Sequence, residues 1–350
     1  ESWFENPVKW TGRPPVEKSC DIKVQDPCMN PPLEMGKRPP FFMDGHITSR
    51  GVPMGGPGGV QKNLLLRIEN LLDNLDETLK ALRVEVDKLN KARPVVIVPI
   101  NEGFLTVFKN FLESCKRAKV DIKSQMIVFP SSKTLHEELL GMGLVSFWTD
   151  TLLLRPISAE SARAYGDKIF VDMMWLKTLS VWLVLQLKRD LIFQDADMVW
   201  LRDPLPYLTD ENSVHGYREP SDAIFQADGA IADRYGPYFA CSGFFFLRSN
   251  VRTLEFWQSL LFDSMTWHWQ SQQAPMNLLL AKSCRIGLRV NVLCDSVFLN
   301  GKNLIHLESG KKGRESFLPV IVHVNWTLNL RDKIKRLKLL GLWLLGADEG

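Results

Sequence analysis

The 350-residue chain lacks several features that would decide its class at once. No stretch approaches the roughly 18 consecutive apolar residues of a membrane-spanning helix; the longest late run, "LLGLWLL" at 339–345, is far too short. Its six cysteines contain no C-x-x-C pair, which removes the common structural zinc sites. There is no dense basic block with interleaved aromatics, and a net charge of +3 is too small to imply nucleic acid as a partner. What remains is ordinary globular material, 45% hydrophobic and 24% charged. The length allows one large domain with accessories or two ordinary domains.

Three regions differ in character. Residues 1–60 hold ten of the twenty prolines, and "GVPMGGPGG" at 51–59 has linker composition, so this part reads as an arm or stalk. Within it, Cys20 and Cys28 either close a short disulfide loop, as in a secretory-pathway protein, or are two unrelated thiols. In residues 61–92, Leu65, Ile68, Leu72, Leu75, Leu79, Leu82, Val86 and Leu89 recur at spacings of three and four. That seam predicts a coiled-coil stem helix and a homodimer. The competing reading is one amphipathic helix packed on the domain that follows.

From residue 93 to 350 short β-branched runs alternate with helical ones. "PVVIVPI" (94–100), "SQMIVFP" (124–130) and "DLIFQDADMVW" (190–200) read as strands, while "LTVFKNFLESCKRA" (105–118) and "FVDMMWLKTLSVWLVLQLKR" (170–189) read as amphipathic helices. Such alternation predicts an α/β domain with a mainly parallel, Rossmann-like sheet flanked by helices. Ligands bind such sheets beyond the carboxyl ends of the strands. Asp195 and Asp197 fall there. Two residues apart on an extended strand, they point the same way, and two converging carboxylates repel unless a cation lies between them. Oxygen ligands select hard divalent ions, Mn²⁺ or Mg²⁺, which keep positions open for phosphate oxygens.

At this point the chain resembles the nucleotide-diphospho-sugar transferases of glycosyltransferase family 77. "IFQDADMVWLRDP" is similar to their D-x-D segment. "NEGFLTVFKNFLESCKRA", "WLKTLSVWLVLQLKRDLIFQDAD", "DAIFQADG", "CSGFFFLRSN", "QSQQAPMNLLL" and "VIVHVNWTLNLRDKIKRLKLLGLW" follow in the family's order, across about residues 94–345. The resemblance implies a GT-A fold and metal-dependent, retaining transfer from a nucleotide-diphosphate sugar, UDP-linked, to a glycan or glycoprotein acceptor. It also implies a Golgi type II membrane protein whose anchor precedes this chain.

The resemblance assigns Asp195, Asp197 and His323 to the metal, with Asp195 also reaching the donor's ribose or metal-bound water. Lys333 holds the leaving diphosphate as a point charge. Asn101 and Lys177 are donor-binding candidates on the first loop and on the helix before the D-x-D. Asp222, Asp228 and Gln273 are candidates for catalysis at the reacting sugar; at least one of the two acids should face it. Gln272 stands where an acid is common, and Cys241 where asparagine is common, so neither carries a family role over. Trp267, His268 and Trp269 are candidates for stacking on a sugar, or for the core. Asn325-Trp326-Thr327 is a glycosylation sequon; with Asn325 facing the donor beside His323, it should stay unmodified. Two other classes compete. One is a catalytically inactive glycan-binding or scaffolding relative, for which four intact site residues serve no purpose. The other is a metal-dependent phosphohydrolase or nuclease, which needs more clustered His and Asp ligands than six scattered histidines supply.

Overall fold

A computed structural model describes residues 57–346 apart from 155, 164–165, 210–220, 230–238, 263–270, 312, 314–316, 318 and 328. The proline-rich arm up to residue 56, with Cys20 and Cys28, and the Trp267–Trp269 segment lie outside the described residues; residues 57–60, expected in that arm, instead open the first helix. In chain order the described elements are α1 (Pro57–Asp73), α2 (Leu75–Val86), β1 (Val95–Ile100), α3 (Leu105–Arg117), β2 (Met126–Pro130), α4 (Lys133–Gly141), β3 (Val145–Ser146), α5 (Lys168–Gln186), β4 (Leu191–Gln194) and β5 (Met198–Trp200). They continue with α6 (Leu205–Thr209), β6 (Ala223–Ala227), β7 (Ala240–Leu247), α7 (Val251–Phe262), α8 (Gln273–Leu280), β8 (Val290–Leu293), β9 (Phe298–Leu299), α9 (Gly301–Glu308), β10 (Ile321–His323) and α10 (Leu330–Leu339).

Seven strands form one sheet in the order β3-β2-β1-β4-β7-β6-β8, and only β7 runs against the rest. The carboxyl ends of β1, β4 and β6 therefore share one edge with the start of β7. A second, three-stranded sheet has the order β5-β10-β9. The chain passes from the large sheet to the small one between β4 and β5, and the three residues of that passage are Asp195, Ala196 and Asp197. Helices cover both faces of the large sheet, as the expected α/β class requires. Phe193 of β4 stacks on Phe245 of β7 with ring centroids 4.9 Å apart, and Phe245 in turn meets Trp257 of α7 at 5.0 Å.

Two expectations about helices are corrected. The coiled-coil stem is instead a pair of helices, interrupted at Asn74 and laid on the domain. Leu82, Val86 and Leu89 are buried in the domain's own core, and Ile68, Leu75 and Leu79 pack against it. Only Leu65 and Leu72 of the seam stay more than half exposed, so most of the surface assigned to a homodimer is used within one chain. Arg67 of α1 fastens the pair by an ion pair of 2.5 Å to Asp172 of α5, with its guanidinium over the Trp175 ring. α5, expected to be amphipathic, is buried on nearly all sides between Met174 and Leu185. A helix apolar all round belongs in a core or a membrane; α5 is long and apolar enough for either, and here the fold covers it.

Asp222 leaves the catalytic set. It precedes β6 and Asp228 follows it, and six residues of strand span roughly 20 Å. Asp222 therefore sits at the edge opposite the D-x-D, fully buried, and accepts from Arg252 Nη2 at 2.6 Å, Asn250 Nδ2 at 2.9 Å and the Arg289 backbone N–H at 2.9 Å. Burial pushes its carboxyl up, but the hydrogen bonds from Arg252 and Arg289 outweigh that and hold it at about 2. A carboxylate whose pKa is lower folded than unfolded stabilises the fold above the unfolded value and loses that contribution as pH falls through the folded one. Asp222→Asn should cost about 2 kcal/mol at pH 7 in denaturant titrations. The gap to wild type should narrow from pH 4 toward pH 2; a gap that does not change with pH would show that the charge is not what stabilises this end.

Candidate active site

A cavity of about 310 Å³ opens where the two sheets meet, at the carboxyl edge of the large one. Among the described residues, every candidate except Asp222 lines it: Asn101, Lys177, Asp195, Asp197, Asp228, Gln273, His323, Asn325 and Lys333.

The paired acids converge as expected but by a different route. Residues 195–197 form a turn, not a continued strand, so strand alternation does not aim them. Backbone bonds to each sheet do. Asp195 donates its N–H to Gly243 O of β7 at 2.8 Å, and Asp197 O accepts from Val324 N at 3.1 Å, just past β10. Antiparallel pairing of β5 with β10 places His323 opposite Met198 and so beside Asp197. His323 Nε2 lies 3.5 Å from Asp197 Oδ1 and 4.0 Å from Asp195 Oδ2. Gly243 is required here, because a Cβ would come within 2.3 Å of His323 Cε1 and 2.7 Å of Asp195 Oδ2.

Gln226 orients the imidazole, and nothing in the sequence pointed to it. Its amide Nε2 donates to Phe298 O at 3.1 Å and Leu299 O at 2.9 Å, which turns its oxygen toward His323 Nδ1 at 2.8 Å. An oxygen can only accept, so Nδ1 carries hydrogen and Nε2 is the atom turned to the carboxylates. His323 is 1% exposed and its Nε2 has no hydrogen-bond partner. Two carboxylates and an unsatisfied imidazole nitrogen, their ligand atoms within 4.8 Å of one another, fit a divalent cation. Mn²⁺ suits a mixed oxygen and imidazole set better than Mg²⁺.

Each acid also holds an ammonium. Lys177 of α5 pairs with Asp195 Oδ1 at 2.7 Å, and Lys333 of α10 pairs with Asp197 Oδ2 at 2.5 Å while donating to Val324 O at 3.1 Å. Burial pushes the Asp197 carboxyl up, but Lys333 and His323 prevail and hold it well below the ordinary range. Burial pushes His323 down, and the Asp197 carboxylate overrides this and raises it to about 10. For His323 to hold a cation through Nε2, the imidazole would have to give up that proton.

The opposite wall is polar. Asn325 accepts from Gly301 N and donates to Asp228 Oδ1 at 3.3 Å, so the sequon asparagine does face the cavity, although β10 ends at His323. Gln273 Oε1 accepts from Ser242 N at 3.0 Å and Ser242 Oγ at 3.1 Å. Cys241, a buried free thiol, lies 3.7 Å from both His323 Nδ1 and Asn325 Nδ2. At the far end Asn101 Nδ2 donates to Glu160 O at 2.7 Å, and its buried Oδ1 is unpartnered.

Residues 144–337 match the family described as nucleotide-diphospho-sugar transferase. A UDP-galactose:fucoside alpha-3-galactosyltransferase of Dictyostelium discoideum is 26% identical over 298 residues, covering 74% of this chain and 44% of its own length. The chain thus spans less than half of that relative. A UDP-D-xylose:L-fucose alpha-1,3-D-xylosyltransferase of Arabidopsis thaliana is 24% identical over 271 residues, covering 73% of this chain and 67% of its own. Among solved structures, the glycosyltransferase GlyE of Streptococcus pneumoniae superposes with a TM-score of 0.42 at 11% identity, over 73% of this chain and 61% of that one.

Two outcomes are expected. Gln226→Met should weaken Mn²⁺ binding by 10- to 100-fold in calorimetric titration, with an unchanged circular dichroism spectrum; unaltered affinity would remove Gln226 from the site. The peptide Phe317–Arg331, analysed by mass spectrometry from a eukaryotic secretory host, should carry unmodified Asn325. A highly occupied glycan there in active protein would turn that asparagine toward solvent and withdraw His323 and Lys333 from the centre.

Proposed function

This chain belongs to the nucleotide-diphospho-sugar transferase family, whose match covers more than half of it, and on that basis we propose that it is a metal-dependent retaining glycosyltransferase. The donor is a UDP-linked pentose or hexose, and the acceptor is a glycan ending in fucose. The observation that carries the reading is the convergence of Asp195, Asp197 and the unpartnered His323 Nε2 between two lysines. The named relatives support the choice of sugars, since their own names state UDP-galactose or UDP-xylose donors and fucose acceptors.

A divalent cation at this site would act as a Lewis acid on the diphosphate. The chain's own residues do the rest. Lys333 and Lys177 meet the negative charge that grows on the diphosphate as the glycosidic bond breaks. Asn101 Oδ1, a buried acceptor without a donor, takes an N–H from the base. Gln273 has its oxygen committed to two donors from Ser242, so it offers N–H groups to a sugar hydroxyl and is not the nucleophile. Asp228 is the carboxylate of the sugar-facing wall. A Golgi-lumen location is part of the same proposal, and the disulfide at Cys294 suits an oxidising compartment.

Transfer from UDP-xylose and UDP-galactose to a synthetic fucoside should require Mn²⁺ and yield an α-linked product by NMR. A β-linked product would contradict retention, and full activity after chelation would contradict the metal. Asp197→Ala should leave less than about a tenth of wild-type transfer, because losing a metal ligand removes several kcal/mol of transition-state stabilisation.

A further inference from the structure

Trp326 stands out on two independent grounds. Among the described residues three non-glycine residues have positive φ, and Lys119 and Lys188 lie just beyond the C-termini of α3 and α5, where left-handed residues ordinarily end helices. Trp326, with φ of +58°, follows a strand and has no such reason. It is also, among the described residues, the one exposed tryptophan, 44% accessible, and it sits on the lining of the cavity. A bulky residue in the left-handed region persists only where its surroundings over-determine it, and such residues gather at functional sites.

The surroundings do over-determine it. Arg336 Nη1 donates to the carbonyls of Asn325 and Trp326, both at 3.3 Å, and is itself held by Glu308 through Nε at 2.7 Å. Gly301 lies so close to Asn325 O that a Cβ would overlap it. The indole Nε1–H donates to Asp228 O at 2.9 Å. With its only polar group turned inward and bonded, the ring offers solvent an apolar carbon surface. That surface lies beside Asp228 and Asn325 on the lining of the cavity.

We infer that Trp326 is a stacking platform for the acceptor, taking the C–H face of a pyranose, of which a terminal 6-deoxyhexose such as fucose is the best fit. Aromatic rings present large apolar area at small entropic cost, and a deoxy sugar with its methyl group offers a complementary face. This inference rests on the transferase reading for which substrate occupies the cavity. The donor's diphosphate is fixed by the metal ligands and lysines in the interior, which leaves the rim for a molecule arriving from solvent.

The left-handed backbone supplies a variant that keeps the fold. Glycine adopts φ of +58° without strain, which offsets part of the loss of the indole bond to Asp228 O, so Trp326→Gly should keep the wild-type circular dichroism spectrum; Trp326→Asn, also at ease in that region, serves if it does not. In the Trp326→Gly enzyme the acceptor KM should rise at least tenfold while the donor KM stays within about twofold, and Trp326→Phe should recover most of the acceptor affinity. Saturation-transfer NMR with methyl fucoside should show binding to wild type and lose it in Trp326→Gly. An unchanged acceptor KM with undiminished saturation transfer would overturn the platform while leaving the transferase reading intact. A rise in donor KM alone would also overturn it. If wild type transfers no sugar, the transferase reading fails, and the NMR comparison still decides whether Trp326 holds a pyranose.

Discussion

A carboxylate as deeply buried as Asp197 must be met by positive charge, and the rest of the site is arranged around that requirement. Lys333 meets it directly, and Lys177 does the same for the more exposed Asp195. Two carboxylates against two ammoniums leave the lysine–aspartate set neutral. A divalent cation bound by those acids and a neutral His323 would bring the set to +2, which matches the two negative charges on a diphosphate joining a nucleoside to a sugar. The arrangement suits a ligand that arrives with its metal. It suits a neutral glycan poorly, which weighs against a purely glycan-binding role.

The architecture explains how such a charge cluster survives in an apolar interior. The chain changes sheets at residues 195–197, and each acid takes one backbone bond from a different sheet. The backbone bonds set where each acid leaves the chain, and the two lysines hold the carboxylates. α5 is buried nearly throughout, so the ammonium of Lys177 is held against Asp195 with its charge also over the Phe193 ring at 5.2 Å. α1 and α2 lie on this assembly through Arg67 and a row of leucines, which makes the N-terminal helices part of the body that carries the site.

Much of this was legible in the sequence, for identifiable reasons. Strand runs such as "LIFQ" end on acids because strand ends in this architecture meet ligands, and His323 follows its own apolar run in the same way. The misreadings share a cause, which is that local patterns do not say what lies opposite. The heptad leucines have the spacing of a two-stranded seam, yet the domain's own core takes most of them. Asp222 and Asp228 look equivalent until the length of β6 puts them at opposite edges, one facing two arginines and the other the cavity. Gln226 was invisible because a glutamine inside a strand carries no signal of its own; only the bonds from its side-chain amide to the Phe298 and Leu299 carbonyls of β9, in the second sheet, aim it at His323. Trp326 was read as part of a sequon, since a positive φ leaves no trace in residue type when the residue is not glycine.

The most direct test of the central claim is anomalous diffraction from crystals grown with UDP and Mn²⁺. One strong peak should lie within bonding distance of His323 Nε2, Asp197 and Asp195, bridged to both phosphates, with Lys333 turned from Asp197 toward the diphosphate. Manganese bound elsewhere, or a diphosphate that leaves the Lys333–Asp197 pair closed and the His323 nitrogen bare, would contradict the account.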